Sequence, residues 1–66
     1  MIRVNRLNGK ELIINCDMIE TIEATPDTVI TLVNGHKYVV VQDVEEIRDS
    51  VIAYKRKLYT EGKTDI

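Results

Sequence analysis

Apolar and polar residues alternate one by one at the start of the chain. Ile2 and Val4, with Arg6 continuing the row, point one way, and Arg3 and Asn5 the other. A period of two is that of a half-buried strand. Asn8-Gly9 follows at once, and Asn-Gly is the strongest short-range hairpin signal because both residues tolerate the positive φ of a type I′ turn. Leu12-Ile13-Ile14 supplies the returning strand.

Asn15-Cys16-Asp17 is a polar interruption, a bend or a bulge. Met18 to Glu23 reads as a third strand, although Ile19 and Ile22 also suit one helical turn. Thr25-Pro26-Asp27-Thr28 is a turn: Pro26 presets φ for the second turn position, and Asp27 can bond the backbone beyond it. Thr28 to Val33 is rich in β-branched residues, with Ile30 and Leu32 on one face, and a second Asn-Gly at Asn34-Gly35 closes another hairpin. Tyr38 to Val41 returns, apolar on both faces and expected to be covered on both. Two Asn-Gly hairpins imply a small antiparallel β-meander of four to five strands over about residues 2–41.

At residue 43 the period changes. Asp43-Val44-Glu45-Glu46 reads as a capping box, Asp43 as N-cap and Glu46 reaching back. Val44, Ile47, Val51, Tyr54 and Leu58 then recur at steps of three and four, the mark of an amphipathic helix. Acids crowd its start (Glu45, Glu46, Asp49) and bases its end (Lys55, Arg56, Lys57), which complements the helix dipole. The spacing predicts a helix over about 44–60, with Gly62 as its stop and a frayed tail over 62–66. The fold class is α+β, one domain over residues 1–66, a meander followed by one C-terminal helix.

Length sharpens this picture. A chain of 66 residues has a thin core, because a domain this small buries only about 60% of the surface its unfolded chain exposes. One cysteine and one histidine supply neither an internal disulfide nor a structural zinc site. Cys16 fits a reducing compartment, and self-association is the expected supplementary source of stability. No stretch nears the roughly 20 apolar residues of a membrane span, and residues 1–6 lack the apolar centre of a signal peptide, so a soluble, cytoplasmic protein is expected. With nine basic and eleven acidic residues the formal charge is −2. That disfavours nucleic-acid binding, which draws on a basic face.

Little in the chain suits catalysis, which calls for a base or nucleophile oriented by a second group. His36 sits beside a hairpin turn, where an exposed loop residue is the plain reading. Cys16 has no cation beside it in the sequence, which favours a small buried thiol over a nucleophile. Ser50 and His36 are the sole serine–histidine pair and lie on different elements. Asp17, Glu20, Glu23 and Asp27 match no calcium loop and read as a solvated edge that discourages sheet-to-sheet aggregation. The two Asn-Gly turns do not lead into helices and are not phosphate loops. No catalytic residue, cofactor or metal is expected.

Two features rise above this background. Val44, Ile47, Val51, Tyr54 and Leu58 step as a and d positions do. They pack on the chain's own sheet or serve a second copy or a groove, and Ile52 and Tyr59 widen the stripe beyond what one small sheet covers. Tyr54-Lys55-Arg56-Lys57-Leu58-Tyr59 is a basic cluster flanked by aromatics. It complements the dipole or docks on an acidic protein surface or anionic lipid heads.

The run Met1-Ile2-x-Val4-x-Arg6-Leu7-Asn8-Gly9-Lys10, then Asn15, Ile19-Glu20, Glu23, Pro26-Asp27-Thr28-Val29-Ile30-Thr31-Leu32 and Asn34-Gly35, resembles the short FlbD/SwrD flagellar accessory family. The likeness runs from Met1 to about Tyr54, and the Pro-Asp-Thr segment with its β-branched run and Asn-Gly is the most specific part. The resemblance implies a bacterial protein that supports motility by raising motor power, through contacts with flagellar motor or stator proteins at the cytoplasmic face of the motor. It brings no catalytic residues. A fainter likeness, in Met1 to Arg6, the Ile14-x-x-Asp17 step and the valine-rich strand, is to the RNA-binding carbon storage regulators. There Arg6 matches one basic RNA contact, while Val44 and Glu45 stand where the second is needed. Short-stranded DNA-binding modules with an Asn-x-x-x-Ile-Glu step are a more distant likeness still.

Overall fold

The computed structural model describes the backbone of residues 1–64 and the side chains of residues 1–58. Five strands, β1 (Ile2–Asn5), β2 (Glu11–Ile14), β3 (Ile19–Glu23), β4 (Thr28–Leu32) and β5 (Lys37–Val40), precede one helix, α1 (Val44–Thr64). The α+β class and the strand-then-helix order follow the two periodicities, and every strand pair is antiparallel.

The strands do not form one continuous meander. β1 and β2 make a two-stranded sheet, and β3, β4 and β5 a three-stranded one. The break falls at Asn15, whose Oδ1 accepts the Asp17 N–H at 3.0 Å and caps a single 3-10 turn, Cys16–Met18. The sheets meet instead through segments distant in sequence. Arg6 bridges antiparallel to Val40, and the Val41 N–H donates to the Asn5 carbonyl at 2.9 Å.

Both hairpins share one loop design, and it is not the two-residue type I′ turn expected from Asn-Gly. In the first, the Gly9 N–H donates to the Arg6 carbonyl and the Arg6 N–H to the Lys10 carbonyl, each at 2.8 Å. In the second, the Gly35 N–H donates to the Leu32 carbonyl at 2.9 Å and the Leu32 N–H to the His36 carbonyl at 2.8 Å. This is a three-residue loop, a type I turn completed by one left-handed residue. Among the described residues positive φ is confined to Gly9 (87°) and Gly35 (93°). Asn8 and Asn34 act through their side chains: each Oδ1 accepts the N–H two residues on, from Lys10 at 2.9 Å and His36 at 3.0 Å. Short Asx bonds of this kind stabilise the turn without left-handed backbone at the asparagine.

A bulge explains why Ile19 and Ile22 are three apart. Ile19 faces Leu32 and Thr21 faces Thr31, so Glu20 is the extra residue. Two residues opposing one shift the alternation by one position. Ile19 and Ile22 consequently both pack against the core.

That core is Ile2, Val4, Ile14, Cys16, Ile30, Val40 and Ile47. The helix closes it through Ile47, 1% exposed. β5 is not covered on both faces as its apolar run suggested. Val40 is buried, but Val39 is 38% and Val41 55% exposed, since a single helix covers one side of a small sheet.

α1 begins as expected. Asp43 Oδ1 accepts the Glu46 N–H at 2.8 Å, which satisfies one of the donors orphaned at a helix start. Only this half of the capping box is formed among the described residues. The helix runs on to Thr64, past residue 60 and through Gly62, where a stop was expected. A lone glycine costs a helix interior about 1 kcal/mol, which neighbouring turns can absorb. Asp65 and Ile66 of the expected tail lie outside the described residues.

Candidate interaction surface

The helical stripe divides at Tyr54. Ile47 is buried, and Val44, Val51 and Tyr54 are half-buried, Val51 and Tyr54 packing against the core. Beyond them every described side chain is exposed: Lys55, Arg56, Lys57 and Leu58, the last at 51%. Ile52 is also exposed. The first three turns thus serve the fold, and the four residues after them, 55–58, face solvent.

The longer helix also changes the meaning of the bases. With the end at Thr64, Lys57 stands about two turns short of it at 3.6 residues per turn. Dipole effects fade within the last turn, so Lys55, Arg56 and Lys57 are a mid-helix surface cluster and not an end cap.

Two concave features lie nearby. An open groove of about 350 Å³ runs between α1 and β3, with Ile19 and Ile22 on one wall, Val44, Arg48, Val51 and Ile52 on the other, and Cys16 at its floor. A second cleft, about 330 Å³, lies beside the first hairpin, lined by Arg6, Leu7, Asn8, Lys37, Tyr38 and Val39. There the Arg6 guanidinium carbon sits 5.4 Å from the centre of the Tyr38 ring, a cation–π contact. The spacing of Ile19 and Ile22 hinted at the groove. Nothing local could have paired Arg6 with Tyr38, which meet only because β1 crosses to β5.

The residues considered for chemistry stay apart. Cys16 is buried, its Sγ 3.9 Å from the Met1 amino nitrogen. His36 is exposed in its loop, and Ser50 Oγ donates to the Glu46 carbonyl at 2.9 Å. Asp17, Glu20, Glu23 and Asp27 are all exposed. Among the described residues no three His, Cys, Asp or Glu side chains converge as a metal would require, and no helix is long and apolar enough to cross a membrane. The turn residues Asn8, Gly9, Asn34 and Gly35 serve the hairpins, and Pro26 and Asp27 lie in the bend between β3 and β4.

Neither the curated proteins nor the solved structures yield a match to this chain. A family model described as flagellar and swarming motility proteins matches residues 1–59, a span that takes in all five strands and most of α1. On that match the chain belongs to the FlbD family of flagellar and swarming motility proteins.

Proposed function

We propose that the chain supports flagellar motility without catalysing a reaction, by docking the exposed residues Lys55, Arg56, Lys57 and Leu58 of α1 on a motor component at the cytoplasmic face of the motor, a stator protein being the favoured partner. Family membership supports the motility part. The observation that carries the docking part is the division of the helix. Ile47 anchors it in the core, while Lys55, Arg56, Lys57 and Leu58 stand exposed beyond the sheet. A rigid basic surface with apolar contact area fits an acidic protein surface, with charge setting the encounter rate and apolar burial the residence time.

The test is a strain in which Arg56 and Lys57 are changed to glutamate. Reduced recovery of motor proteins with the tagged chain, and slower swimming with filaments still present, are expected. Undiminished recovery and speed would remove the basic cluster from the mechanism, and wild-type torque in a deletion strain would end the motor reading. The nucleic-acid alternative requires a salt-dependent gel shift on RNA. The net charge of −2 weighs against it, as do Val44 and Glu45 where a second basic contact is needed.

A further inference from the structure

We infer that the cleft between the first hairpin and β5 binds an extended acidic segment of a partner protein, whose carboxylates meet Arg6 and Lys37. The inference depends neither on the motor reading nor on the basic cluster of α1. It starts from the edge of β5, the end strand of its sheet. The Arg6–Val40 bridge and the Val41–Asn5 bond join β1 to that edge only from Val40 onward. Residues 37–39 instead line the open cleft of about 330 Å³, with Arg6, Leu7 and Asn8 across it.

Hydrogen-bond alternation fixes what this edge offers. The Leu32 N–H donates to the His36 carbonyl at 2.8 Å, so the β5 residues bonded to β4 are Tyr38 and Val40. Lys37 and Val39 turn their N–H and C=O groups the other way, toward the cleft. Among the described residues neither N–H has a hydrogen-bond acceptor. Donors and acceptors in alternation along a strand edge suit the main chain of an extended peptide. Phosphate groups offer acceptors alone.

Charge then selects acidic side chains. The lining holds Arg6 and Lys37 and no acid. Neither base has a carboxylate partner among the described residues, and Glu11 on β2 is held by Arg3 at 3.3 Å. The two bases stand on opposite lips of the cleft. Pairing with Val40 puts Arg6 on the face of Val40 and Tyr38, its guanidinium carbon 5.4 Å from the ring centre. Lys37 leaves β5 on the other face, because successive side chains of a strand alternate. An added strand alternates as well, so two consecutive acidic residues send one carboxylate to each lip. Tyr38 packs against the core, and a guanidinium stacked on a fixed ring loses less freedom when it takes a carboxylate. Leu7 and Val39, both exposed, give the segment's neighbouring side chains apolar contact.

The experiment titrates a fluorescent peptide, two adjacent glutamates flanked by valines, into the full chain and follows anisotropy, with amide shifts read from isotope-labelled chain. Saturable binding that moves the Lys37 and Val39 amide signals is expected. The glutamine version of the peptide, R6E and K37E should each weaken it roughly ten-fold or more, the scale of one charge-assisted hydrogen bond. Arg6 and Lys37 are exposed, and circular dichroism checks that both variants keep the fold. R56E and K57E, on α1, should leave peptide binding unchanged. No binding at about millimolar peptide, equal binding of the glutamine version, or indifference to both R6E and K37E would overturn the proposal. So would tighter binding of an RNA oligonucleotide of equal charge, or a loss produced by R56E and K57E alone, which would move the acidic partner to the helix.

Discussion

Asn5 and Gln42 hold each other across the seam between the two sheets. Gln42 Nε2 donates to Asn5 Oδ1 at 2.8 Å, and the Asn5 N–H donates to Gln42 Oε1 at 2.9 Å. Beside them the Val41 N–H donates to the Asn5 carbonyl. Gln42 immediately precedes the helix cap Asp43, so this pair fixes where α1 leaves the sheet and therefore which of its residues overhang.

Replacing Gln42 with alanine removes both bonds and leaves the partly buried Asn5 N–H without its partner. The cost should be about 1–3 kcal/mol, a fall in melting temperature of roughly 4–8 °C per kcal/mol in a domain of this size. Asn5→Ala removes the side-chain bond to Gln42 and the longer one from Asn5 Nδ2 to the Gly9 carbonyl at 3.4 Å, keeps the backbone bond to Gln42 Oε1, and should cost less. A double-mutant cycle measured by urea denaturation tests the pair, and zero coupling would show that the bonds do not act together.

Ile47 and Leu58 belong to one sequence stripe but to different environments. Ile47→Ala should cost about 2–5 kcal/mol through the cavity it leaves. Leu58→Ala should change the stability of the single copy by no more than about 0.5 kcal/mol. Equal losses in dilute solution would contradict the division of the helix at Tyr54.

Gly9→Ala and Gly35→Ala meet no neighbour, since a Cβ at either position lies in open space. Their cost is backbone strain alone, about 1–2 kcal/mol for a left-handed alanine. Asparagine, which tolerates that conformation better, should be the milder replacement at both. An alanine variant as stable as wild type by thermal melting would show that the loop had changed its turn.

Asp43→Ala should cost about 1 kcal/mol by removing the acceptor for the Glu46 N–H. Glu46→Gln should be nearly silent, because the backbone of Glu46 makes the bond and its side chain does not complete the box. A larger loss for Glu46→Gln than for Asp43→Ala, measured by denaturant titration, would reverse that assignment.

How far local pattern carries is visible at particular residues. The alternation of Ile2 and Val4 placed both in the core, and the three-four spacing from Val44 to Tyr54 placed the inner face of the helix. Asn-Gly located both hairpins but not their geometry, because the dipeptide serves two loop designs and the flanking register selects between them. Val39 looked as buried as Val40 by composition, yet faces water because no second layer covers that side of β5. At Ile19 and Ile22 the spacing left strand and helix open, and pairing with β4 resolved it through the bulge at Glu20.

By itself the amino-acid order determined the element types, their succession and the inward-facing rows, since these follow from backbone periods and turn chemistry acting over a few residues. Tertiary structure alone decided that the strands divide into two sheets at Asn15, that Asn5 meets Gln42, and that the apolar row of the helix is covered as far as Tyr54 while residues 55–58 are exposed. Those outcomes depend on how two small sheets, of two and three short strands, meet each other and a helix of 21 residues, a relation between distant segments that no local pattern encodes.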